Sequence, residues 1–107
     1  MKVNEMSDEE RNVYNAILRG SIDNPVSRLS ITDNLGLSKR RIERVVESLI
    51  YVHDIPVVSR LRKPSGYYIA RNVAELNEGM KHYKQQIITS QQRVKKLMSI
   101  ELEGGLV

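Results

Sequence analysis

Residues 38–52 carry two patterns on a single stretch of chain, and together they dictate how that stretch must sit. In SITDNLGLSKRRIERVVESLI, Ile42, Val45, Val46, Leu49 and Ile50 recur at i, i+3, i+4, i+7 and i+8. That spacing is one apolar stripe along a helix. Lys39, Arg40, Arg41 and Arg44 crowd the first two turns of the same helix, mostly off the stripe. The back of such a helix must press on a core while its N-terminal half stays in water. Ser38 is placed to cap it, and the helix should run to about Val52. Gly36 sits in the turn before it, where a positive φ is needed, and Leu37 packs down.

Two helices are expected upstream. Ser7 with Glu10 three residues later makes a capping box, and Asp8, Glu9 and Glu10 suit the positive end of a helix dipole. Val13, Ile17 and Leu18, with Tyr14 alongside, supply a core face, and Gly20 is a stop. SIDNPVSR reads as a loop. A short second helix should start at Ser27 or Ser30 and end near Asn34, burying Leu29 or Ile31 and Leu35.

After His53-Asp54 the period changes from 3.6 to that of a strand. PVVSRLR and GYYIA are short β-rich runs joined by Lys63-Pro64-Ser65-Gly66, a turn sequence. A lone two-stranded hairpin is marginal in water, so it must lie against the helices. Tyr67 and Tyr68 point to opposite faces, one to the core. Alternation along the strand would make Arg60 and Arg62 project together. Asn72 opens a last helix, with Glu75 as a second capping pair. From Val73 to about Glu101 only Gly79 interrupts it, at roughly 1 kcal/mol against alanine. Leu76, Met80, Tyr83, Ile87, Ser90, Val94 and Leu97 step by alternating fours and threes, a heptad seam apolar at every position but Ser90. A helix of that length cannot bury the whole seam on a domain of about 70 residues.

Charge follows the same organisation. Residues 38–71 carry eight cations and three carboxylates, whereas residues 1–37 carry four and six. A positive field concentrated on one helix and one hairpin favours a polyanion. The 107 residues allow one small domain. No apolar run reaches the ~20 residues that cross a bilayer, and MKVNEMSDEER lacks the apolar core of a signal peptide. Neither a membrane partner nor export is expected. With no cysteine in the chain, a cytoplasmic location is expected. His53 and His82 have no ligand spacing between them, and no phosphate loop, nucleophile elbow or carboxylate pair is present. Neither an enzyme nor a metal or cofactor site is expected.

The stretch LSITDNLGLSKRRIERVVESL, with its Leu-Gly-Leu-Ser turn and Ser-Lys-Arg-Arg helix start, resembles the winged helix-turn-helix proteins of bacteria and their phages. The resemblance covers roughly residues 7 to 70. It is similar to the biotin-repressor type of N-terminal domain, including a strand-turn-strand that closes on Gly66-Tyr67-Tyr68. Small phage proteins with a winged domain, a GYY segment and a long charged helix are similar as well, as are PadR-type repressors that dimerise through a C-terminal helix. One departure is Ile31-Thr32-Asp33-Asn34, where such units often carry alanine.

The resemblance implies an α+β, mostly helical fold: three helices and a β-hairpin wing over residues 1–71, a dimerisation helix over 72–103, and a frayed tail at 104–107. It implies that Lys39, Arg40 and Arg44 read a DNA groove, with Arg41 nearer a phosphate and Ser38 at the helix N-terminus. Arg60, Arg62 and Lys63 would reach DNA from the wing, or simply protect an edge strand. Tyr83, Ile87, Val94, Leu97 and Met98 would form the dimer contact. The expected function is sequence-selective binding of double-stranded DNA by a homodimeric transcriptional regulator, phage-related in origin. The alternative is a protein-interaction adaptor or an accessory factor in phage DNA replication.

Overall fold

Each of the four described α-helices begins on a side chain that accepts a hydrogen bond from the amide three residues ahead. Ser7, Ser27 and Ser38 accept from Glu10, Ser30 and Arg41 at 3.1 Å each, and Asn72 accepts from Glu75 at 2.9 Å. Such caps satisfy amides that have no partner inside the helix, typically for about 1 kcal/mol each. In the computed structural model, which describes residues 5–102, these caps start α1 (Asp8–Leu18), α2 (Arg28–Leu35), α3 (Lys39–Tyr51) and α4 (Val73–Ser99). The capping box at α1 is complete, since Glu10 Oε1 accepts from the Ser7 amide at 2.9 Å. At α4 the reciprocal half shifts back by one residue: Glu75 accepts from Arg71 rather than Asn72. The expected start of the second helix resolves to Ser27. Its end is Gly36, left-handed at φ 67°. The last helix stops at Ser99, with Ile100 extended, two residues short of the expected Glu101. The expected frayed tail at 104–107 lies outside the described residues.

The fold is α+β and mostly helical. Three helices gather around Val13, Tyr14 and Ile17 of α1, Ile31 of α2, and Ile42, Val45, Val46 and Leu49 of α3. Two leucines leave this core. Leu18 and Leu29 are exposed, at 49% and 69%. Leu18 lies one residue, or about 100° of rotation, past Ile17, which already fills the α1 slot. Ile31 takes the core position of α2, so Leu29 turns outward.

Strands β1 (Val57–Arg60) and β2 (Gly66–Ile69) pair antiparallel, with Val57 opposite Ile69 and Arg60 opposite Gly66. Just after Pro25, Val26 exchanges both backbone hydrogen bonds with Tyr67 at 2.8 Å. The expected loop therefore contributes a one-residue edge to the sheet. One face of the hairpin, with Val57, Tyr67 and Ile69, lies on the three-helix core. The other presents Val58 and Tyr68, buried under α4.

Gly79 makes that second contact. A methyl group there would lie 2.5 Å from Val58 Cβ and 2.9 Å from Tyr68 Oη. The glycine is therefore the point where helix backbone meets sheet, not merely a weak spot in the helix. Tyr68 Oη also donates to the Glu75 carbonyl at 3.2 Å. Beyond this seat α4 runs free, and the molecule measures 57 × 28 × 26 Å. No described helix is long and apolar enough to cross a membrane.

A polar cluster joins the two ends of the helical core. Glu10 Oε2 accepts from Ser48 Oγ, and His53 Nε2, on a side chain almost wholly buried, lies 2.9 Å from the same oxygen. The Ser48 hydroxyl, together with the Ser7 amide and hydroxyl and His53, outweighs burial and lowers the Glu10 pKa from 4.5 to about 2.

Two outcomes are expected. Gly79→Ala should lower the urea midpoint by an amount corresponding to about 1–3 kcal/mol, despite alanine's better helix propensity; a gain in stability would show that α4 is not seated there. The carboxylate of Glu10 contributes stability that is present above pH 4.5 and lost as pH falls toward 2. Its size is on the order of 1–2 kcal/mol after solvent screening. Urea titrations from pH 6 to pH 2.5 should show this loss in the native chain and a smaller one in Glu10→Gln; equal slopes would contradict the role of Glu10.

Candidate nucleic-acid interface

The apolar stripe of α3 fixes which way its cations face. With Ile42, Val45 and Leu49 turned to the core, the 3.6 period sends Arg40 and Arg44 to the opposite side, one turn apart. Lys39 lies on the flank toward α2 and the hairpin. All three are exposed, and among the described residues none joins an ion pair. Ser38 Oγ is occupied with the Arg41 amide, so its hydroxyl serves first as a cap.

Arg41 is drawn elsewhere. Its Nε lies 2.6 Å from Glu9 Oε1 at the start of α1. On the other flank of α3, Glu43 binds Arg28 of α2 at 2.9 Å, in place of an i+4 pairing within its own helix. These two half-exposed pairs fasten α3 to both neighbouring helices. Each contributes little stability, but each settles the direction of a long side chain.

The hairpin divides its cations in the same way. β1 ends at Arg60, so the alternation that would send Arg60 and Arg62 together into solvent stops there. Arg60 folds inward instead: Nη1 donates to the Ile22 carbonyl at 3.1 Å and Nη2 to the Lys63 carbonyl at 3.0 Å. It ties the base of the hairpin loop to the segment between α1 and α2. Arg62 and Lys63 are exposed in the loop.

Between α2, the start of α3 and the hairpin runs an open groove of about 700 Å³. Arg28 and Lys39 border it on one side, and Leu61, Tyr67 and Tyr83 on the other. Burial raises the Tyr67 pKa, with Arg28 opposing the shift, so the phenol stays neutral and able to donate. Arg28 escaped the charge-cluster reading because it lies ten residues upstream in a weakly patterned helix; its place directly after the Ser27 cap was the one local sign. Tyr83, Ile87, Val94, Leu97 and Met98 are all exposed along α4. Among the described residues, no group of three or more His, Asp or Glu is arranged to hold a metal ion.

What this surface offers chemically is a set of exposed cations on a helix whose back is buried. Arg40 and Arg44 can donate two parallel hydrogen bonds to a base edge or a phosphate, and Lys39, Arg62 and Lys63 supply point contacts to phosphates. The inward arginine makes a different prediction. Arg60→Ala should lower stability by about 1–3 kcal/mol, because two carbonyls lose a charged donor, while Arg62→Ala should stay within about 0.5 kcal/mol of the native chain. Thermal melts of the two variants check this, and equal melting temperatures would contradict the inward role. No protein-family model matches this chain, and neither curated proteins nor solved structures yield a match.

Proposed function

We propose that this chain is a winged helix-turn-helix protein that binds double-stranded DNA with sequence preference. In this reading α3 enters the major groove, the hairpin loop follows the flanking backbone, and a homodimer formed through α4 sets two copies on a repeated or palindromic site. The role is transcriptional regulation, or control of replication or lysogeny in a phage-related setting. One observation carries the reading: Lys39, Arg40 and Arg44 stand exposed, with no ion pair among the described residues, on the N-terminal half of a helix whose back is buried. Arg62 and Lys63 in the hairpin loop support it as a second, separate positive element.

The expected behaviour is strong salt dependence. With about five phosphate or base contacts per copy, affinity for mixed-sequence duplex should fall at least about 10²-fold between 50 and 200 mM salt. Arg40→Ala and Arg44→Ala should each weaken binding to a selected duplex by roughly 10-fold or more, with the fold intact by circular dichroism. Arg41→Ala should weaken it less, since that guanidinium is held by Glu9. Fluorescence anisotropy measures all three. Absence of duplex binding at low salt contradicts the reading and leaves protein docking as the use of this surface.

A further inference from the structure

The free part of α4 and the part seated on the hairpin are one face of one helix. Leu97 follows Gly79 by about five full turns at 3.6 residues per turn, so the two positions lie on the same line along the axis. Gly79 sits against Val58 and Tyr68, while Leu97 is exposed, as are Tyr83, Ile87 and Val94 between them. The hairpin therefore occupies the seam face at its N-terminal end, and the seam is bare from Tyr83 to Met98.

This geometry decides how a second copy can lie on it. A parallel partner helix, packed in register along Ile87, Val94 and Leu97, would bring its own residues 76–80 to the level where the first copy's hairpin already fills that face. An antiparallel partner centred near Ser90 meets no such obstacle. Its Leu97 falls at the level of Tyr83 and its helix ends at Ser99, at about the level of Lys81, just where the hairpin begins. The free seam and the helix remaining to cover it have the same length.

Charge points the same way. Arg93, Lys95 and Lys96 crowd the last turns, and no carboxylate lies between Glu78 and Glu101. A parallel pair sets these cations beside their own copies, whereas an antiparallel pair moves the two Lys95 positions about 15 Å apart along the axis. That is beyond the ~8 Å Debye length at physiological salt.

We infer that the chain forms an antiparallel homodimer in which the end of each α4 closes over the partner's groove beside Tyr83. The inference rests on the proposed homodimer and specifies its geometry. Tyr83 belongs both to the seam and to the wall of the groove that contains Leu61 and Tyr67. The partner's Met98 and Ile100, 82% and 49% exposed in one copy, arrive there and find the apolar side of that groove. Neither groove is complete without the other chain.

The absence of cysteine gives a clean test. Tyr83→Cys and Leu97→Cys chains, mixed and oxidised, should yield a mixed disulfide dimer, and Leu97→Cys alone should not cross-link. Ile87→Cys mixed with Val94→Cys repeats the test should either first variant fold poorly. Self-cross-linking of Leu97→Cys without the mixed product would mean a parallel pair and overturn the inference. A native chain that sediments as a monomer at 100 µM would overturn the homodimer itself, a failure distinct from a wrong orientation. Closure of the groove is read separately: Leu61→Cys should react with a maleimide at least about 5-fold more slowly in the native background than with Leu97→Asp added. Equal rates would remove the groove contact.

Discussion

The hairpin is the hinge of this structure because neither of its faces tolerates water. Two short strands do not persist alone, and here one face rests on the three-helix core while Val58 and Tyr68, on the other, are covered by α4. The Gly79 backbone allows that cover to sit directly on the sheet. Three consequences follow from one contact. The hairpin loop is held out beside α3, the α4 axis is fixed relative to the helical core, and the rest of the apolar seam is sent past the edge of the domain.

The cations show how a fold sorts residues of one chemical type. Arg28, Arg41 and Arg60 are each bound within the chain, to Glu43, to Glu9, and to the carbonyls of Ile22 and Lys63. They join α2 to α3, α1 to α3, and the hairpin to the loop before α2. Lys39, Arg40, Arg44, Arg62 and Lys63 remain on the surface. The buried stripe of α3 holds that helix on the core, and the internal ties settle where the first group of side chains points. The Glu10 cluster adds to this by fixing the first turn of α1 to the far end of α3 through Ser48 and His53.

Local physics was legible in the sequence and long-range approach was not. The caps at Ser7, Ser38 and Asn72, the left-handed Gly36 and the α3 stripe all depend on neighbours within four residues, and each stands where the pattern places it. Leu18 and Leu29 qualify as core by type and spacing, yet Ile17 and Ile31 fill the core positions of their helices and leave both leucines outside. Glu9 lies 32 residues from Arg41, so no local rule tells that this arginine is taken while Arg44, among the described residues, is not. Gly79 looked like a cost because periodicity records what a helix presents, not what approaches it. Val26 pairs through a single residue, too short for any strand pattern to register.

In the proposed complex, α3 and the hairpin loop meet a duplex together. Amide chemical-shift mapping of the ¹⁵N-labelled chain, titrated with a mixed-sequence DNA duplex at low salt, tests it most directly. Shifts are expected to cluster at residues 38–44 and 61–65, with α1 and the α4 seam little changed. Shifts confined to α4, or none at all, would contradict it.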